Sequence, residues 1–188
     1  MDLVVRSGTH NIHMPKTLSL IAVLSAVSIA TNYTLLPLPN VKLMDAIVFV
    51  SGMCLGLVPG LAVAVTTWIV YGSINPLGYS VPTLIIVALS ECIFAILGFA
   101  MTKTRASNDV RAMIIERSVI LGVAGFFATL AYDLITNAAY GWLFYGSPWL
   151  GLVTMNFPLP LGLIHEVSNA LFFAIVVPLL VRILQHKI

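Results

Sequence analysis

From residue 82 to residue 102 the chain carries a single charged side chain, Glu91, and comparably apolar runs recur along its whole length. A run of roughly 20 apolar residues is what an α-helix needs to cross the hydrocarbon core of a bilayer. Composition points the same way. The chain is 60% hydrophobic and 9% charged, where a soluble domain carries about 25% charged residues. Too few polar groups exist to cover a water-facing surface, so lipid must be the solvent. The expectation is an all-α integral membrane protein, with residues 1–188 forming a single transmembrane domain.

Six apolar runs are candidate spans, at 17–36, 43–58, 59–74, 82–102, 117–140 and 159–184. The second and third are short, and "GLVPG" separates them. Short cytoplasmic loops collect Lys and Arg, and that bias favours counting them as two spans. Six spans with both termini inside put Arg6, Lys16, Lys103, Arg105, Arg111, Arg117, Arg182 and Lys187 on the cytoplasmic side, leaving only Lys42 outside. Merging the two runs reverses everything downstream. Pro59-Gly60 also supplies turn chemistry between them. Residues 1–16 then form a short cytoplasmic segment, polar and unlike a secretory signal.

The external face on this count consists of loops 36–42, 73–81 and 141–158, rich in Pro, Gly, Asn and aromatics. Tyr71 and Tyr79 flank the middle loop; Trp142, Phe144, Tyr145 and Trp149 lie in the last. Each aromatic is either part of an interfacial belt or part of a pocket roof, Tyr79 being the candidate chosen for the pocket. The net charge of +2 comes from few, scattered basic residues and gives no nucleic-acid footprint. Cys54 and Cys92 lie in apolar runs and read as small hydrophobes rather than a disulfide or metal site.

Ionisable residues at membrane depth cost about 2.5–3.5 kcal/mol on insertion scales and are functional candidates. Glu91 lies midway along the fourth run, Asp133 in the outer half of the fifth and Glu166 in the outer part of the sixth. Asp133, Asn137 and Tyr140 share one helix face, with Thr129 and Thr136 beside it. On the sixth run His165, Glu166 and Asn169 fall within about one turn. If the two helices are antiparallel neighbours, these groups line an outward-facing acidic pocket for a small ligand. The alternatives are structural: Asp133 as a helix–helix hydrogen-bonding group, His165 donating to a neighbouring acid or carbonyl, Glu91 as a packing residue. Asn32 and Tyr33 either face the pocket or cap the first helix.

Two sharper chemistries are disfavoured. "HEVSN" at 165–169 begins like the zinc-protease pattern HExxH, but Asn169 stands where the second His is required. His10 and His13 form a possible metal pair on a segment expected inside the cell. No metal site, catalytic residue or bound cofactor is expected, and no phosphate-binding glycine motif is present to hydrolyse ATP.

In the first run, "AVLSAVSIA" repeats Ala22, Ala26 and Ala30 at helical spacing, with Ser19 extending the strip. Small residues let helices approach closely in lipid. This stripe, the following "LPLPNVKL", and the phrases "YDLITN" and "EVSNALFFAIVVPLLVRIL" together resemble the substrate-binding S components of energy-coupling factor (ECF) transporters. The resemblance covers essentially the whole chain. It implies a six-helix protein of a prokaryotic cell membrane that captures a vitamin or related micronutrient from outside. Such a protein lacks ATPase activity and docks on a transmembrane coupling protein driven by two cytoplasmic ATPase subunits. Ala22, Ala26 and Ala30 would be the docking face.

The resemblance also implies that loop 36–42 gates the substrate. Pro37 and Pro39 fix φ and are expected to hold it extended, presenting Asn40 and Lys42 to the pocket as a lid. Aromatics in the roof suit a flat, nitrogen-rich or cationic ligand, and a corrinoid or folate stays open. An intramembrane enzyme using Asp133, His165 and Glu166, or a stand-alone solute carrier, are the rival readings.

Overall fold

The structure is a computed structural model that describes residues 14–76, 78, 80–102 and 110–185, with backbone alone at 110–116 and 185. Tyr79, the His10 and His13 pair and the basic residues Arg6, Lys103, Arg105 and Lys187 lie outside the described residues, as does the side chain of Arg111.

The described residues form seven α-helices and no strand: α1 (Met14–Leu35), α2 (Met44–Leu55), α3 (Leu57–Ser73), α4 (Val81–Met101), α5 (Val110–Tyr145), α6 (Pro148–Thr154) and α7 (Leu161–Gln185). Four helical stretches are long and apolar enough to cross a membrane: Met14–Leu35, Val81–Met101, Arg117–Tyr145 and Leu161–Leu184. Their outward faces carry Leu89, Phe127, Leu171, Ile175 and Leu179, all exposed, while Asp45, Glu91, Asp133, His165 and Asn169 are buried. Apolar outside and polar inside is the arrangement lipid demands. The chain is a multi-pass membrane protein.

The second and third expected spans are shorter than a bilayer. At 1.5 Å per residue, the 12 residues of α2 reach about 18 Å, against a core of about 30 Å. Lipid does not solvate this helix. Every residue from Met44 to Gly52 is buried, because α2 packs against α1, α3, α4 and α7 together. It is the central strut of the bundle.

The break between α2 and α3 falls at Gly56, whose φ of 101° suits glycine, and not at Pro59-Gly60. Pro59 instead rides in the first turn of α3, where its missing N–H has no helical partner to lose. Gly60 serves packing: a Cβ there would strike the backbone of Gly52. This glycine pair brings α3 against α2 at backbone contact distance.

α5 continues to Tyr145, past the expected end at 140. α6 then folds back on it through Gly141 and Gly151, each of which would meet the other's backbone with any added Cβ. Much of the expected loop 141–158 is therefore helix. Trp142, Phe144, Tyr145 and Trp149 point outward from it, as an interfacial belt does, and do not roof a pocket.

Candidate functional site

α1 turns a polar edge inward. Its buried residues are Ser25, Ser28 and Asn32, whereas Ala22, Ala26 and Ala30 are exposed on the opposite side. At its end the chain enters the segment 36–43, which is wound in turns rather than extended. Leu38 N–H donates to Leu35 O at 2.8 Å and Val41 N–H to Leu38 O at 3.3 Å. The second turn has Pro39 and Asn40 at its centre, with Asn40 at φ 55°. Proline followed by a residue of positive φ is what a type II turn selects, so the prolines fix turns here instead of an extended flap. The Asn40 amide donates to Leu161 O at 2.9 Å, tying the segment to the start of α7.

Beneath this segment lies a cavity of about 200 Å³ lined by Asn32, Leu35, Leu36, Leu38, Pro39, Asn40, Val41, Lys42, Trp68, Tyr71 and Asn75. Two aromatics line it, Trp68 meeting Tyr71 edge-on at 5.8 Å; Tyr33 stands outside the lining and meets Tyr71 at 5.6 Å. Tyr33 is fixed by donating its hydroxyl to Ile74 O at 2.8 Å. Lys42 Nζ stands 5.3 Å from the Trp68 ring centre and 5.9 Å from that of Tyr132. Among the described residues no carboxylate pairs with it within 4.0 Å. Lys42 is the one charged residue in the lining, so the cavity wall is cationic where an acidic pocket was expected.

The acids lie deeper, in a network that joins α2, α5 and α7. His165 is fully buried between two carboxyl groups. Its Nδ1 lies 3.0 Å from Asp133 Oδ1 and its Nε2 lies 2.8 Å from Asp45 Oδ2. Each contact requires a proton, so the trio holds two. The Asn169 amide donates to the same Asp45 Oδ2 at 2.5 Å and to Thr129 Oγ1 at 2.8 Å. Glu91 accepts from Trp68 Nε1 at 3.0 Å, and thereby meets the cavity wall from behind. The carboxyls of Glu91 and Asp45 also face each other.

Asp133, His165 and Asn169 thus come together as the stripe pattern anticipated, and both structural alternatives for Asp133 and His165 describe their contacts. Asp45, the hub of the network, lies at the edge of its apolar run, where depth along the sequence does not mark it. Glu166 is half-exposed and stays outside the network. Tyr140 packs on Phe144 at 4.5 Å, and Asn137 is buried near Gly151 where α6 returns; neither lines the cavity. Of the other candidates, Asn32, Asn40 and Lys42 line it directly, and Glu91 reaches it through Trp68.

The network does not form a metal centre. The two carboxylates lie on opposite edges of the imidazole and cannot converge with it on one ion, and no grouping of three ligands exists among the described residues. No family model, curated protein or solved structure matches the chain, so its geometry and sequence alone carry the functional reading.

Proposed function

We propose that the chain is the substrate-capturing S component of an ECF-type importer in the plasma membrane of a prokaryote. It crosses the membrane six times with both termini cytoplasmic, α2 and α3 forming the two short passages. It takes a vitamin-like micronutrient from the outside and hands it inward when docked on a transmembrane coupling protein. ATP is consumed by the two cytoplasmic ATPase partners and not by this chain.

The observation that carries this reading is the cavity itself. A turn-rich segment forms one side of it, Asn40 latches that segment to α7, and aromatic rings and one cation line it. That is the form of a small-ligand site. The outward strip of Ala22, Ala26 and Ala30 leaves a smooth helix face for a partner helix. Both ring nitrogens of His165 are engaged by carboxyls, which favours a structural network over an acid–base catalyst.

The test is co-purification with the coupling protein and its ATPases, together with mass spectrometry of small molecules carried by the detergent-solubilised chain. Capture of a micronutrient and loss of the complex on Ala22→Trp or Ala26→Trp are the expected results. An intact complex and unchanged uptake in both variants would remove the docking assignment.

A further inference from the structure

We infer that the cavity under segment 36–43 takes a one-ring aromatic carboxylate, its anionic group on Lys42 and its ring against Trp68 and Tyr71. This rests on the capture reading and specifies its ligand.

Size sets the first limit. A cavity of about 200 Å³ holds roughly seven waters at about 30 Å³ each. One six-membered ring with a small substituent fits that space. Charge sets the second. Lys42 is the one charged residue in the lining, and its ammonium rests over two aromatic rings without a carboxylate partner among the described residues. Ring faces hold a cation but do not replace the oxygen acceptors its N–H groups prefer. The acids that would attract a cationic ligand stand behind the wall. Asp45 is engaged by His165 and Asn169, and Glu91 by the indole N–H of Trp68.

Shape sets the third limit. The Trp68–Tyr71 pair offers aromatic surface to a flat ligand. Asn32 lines the same cavity, and its Oδ1 is buried with no hydrogen-bond donor reaching it among the described residues. A ring N–H or amino substituent would supply that donor.

The experiment uses the full chain in lipid nanodiscs and reads ligand binding by calorimetry. Benzoate and pyridine-3-carboxylate are compared with their neutral amides and with benzylammonium. The acids are expected to bind at least tenfold more tightly than the amides, and benzylammonium to bind weakest. Lys42→Met should weaken the acids by about tenfold to a hundredfold and level them with the amides, while Lys42→Arg keeps the preference. Amides or benzylammonium binding as well as the acids would overturn the anionic class and leave capture standing, a result that needs no variant to fold. Binding by none of the three classes, with no small molecule co-purifying, would overturn both the class and the capture reading.

Discussion

Nε2 of His165 lies 2.8 Å from Oδ2 of Asp45, and through that contact α7 grips α2, buried from Met44 to Gly52. Asp45 is 1% exposed and His165 is fully buried. Removing either partner leaves polar groups stranded in a medium that cannot solvate them. Asp45→Ala would leave His165 Nε2 and the Asn169 amide without their shared acceptor, at a cost of about 3–5 kcal/mol. Asp45→Asn keeps an oxygen in place and should cost less. Chemical unfolding in mixed micelles measures both, and a loss below about 1 kcal/mol for Asp45→Ala would mean the contact holds nothing together.

Glu91 should behave in the opposite way. Its Oε2 accepts from Trp68. Glu91→Gln retains an oxygen for that contact, while the new amide nitrogen can donate toward Asp45. The substitution therefore keeps the indole contact without orphaning a partner, and stability within about 1 kcal/mol of the wild type is expected. Glu91→Ala breaks the indole contact and should cost more. Thermal melts followed by Trp68 emission compare the two, with Glu91→Gln the more damaging of the pair as the contrary result.

These two acids also show what the sequence made legible. Glu91 stands alone in a long apolar run, so its depth is readable from position. Asp45 lies second in α2, at the edge of the 43–58 run and three residues after Lys42, where an acid reads as facing the water at the end of a span. Only the packing of α1, α3, α4 and α7 around α2 buries it, and that packing is tertiary. The α2–α3 boundary was obscured similarly, since Gly56 and Pro59-Gly60 are both plausible breaks and Pro is tolerated in a first helical turn. A signal for α6 was present in Ser147 followed by Pro148, an N-cap residue and a proline at the first helical position. The apolar runs, by contrast, located the four long helices directly, because length and hydropathy are properties of the chain itself.

Asn40 serves the cover of the cavity through its backbone and its side chain separately. Its φ of 55° is tolerated by Asn and Gly, and its amide holds Leu161 O. Asn40→Gly keeps the turn and loses the latch; Asn40→Ala loses both. The latch is worth about 1 kcal/mol, so amide exchange across 36–43 should rise roughly fivefold in Asn40→Gly and further in Asn40→Ala. Equal exchange in all three proteins would show that the segment is held by its turns alone.

The backbone contact between Gly52 and Gly60 should tolerate no added atom. A Cβ on Gly52 would overlap the Ala95 carbonyl, and one on Gly60 would strike Gly52. α2 would have to part from α3 or α4 while still holding His165 through Asp45. Gly52→Ala and Gly60→Ala are each expected to destabilise by about 1–3 kcal/mol. Because both added atoms also crowd Ala95, the double variant should cost less than the sum. Additive losses in chemical denaturation would place the two glycines in independent contacts.

α1 allows docking and folding to be separated on a single helix. Ser28 is fully buried against the bundle, whereas Ala22 and Ala26 are exposed. Lipid solvates leucine as well as it does alanine, so Ala22→Leu and Ala26→Leu should leave the melting temperature of the isolated chain unchanged. If that face meets a coupling protein, the added side chains hold the helices apart and the complex is lost. Ser28→Leu reverses the pattern: overpacking should cost about 1–3 kcal/mol in the isolated chain, and whatever still folds presents an intact Ala strip and still docks. A melt and a co-purification on the same three variants therefore read the two faces independently. Loss of stability in Ala26→Leu, or loss of docking in folded Ser28→Leu, would assign the helix faces the other way round.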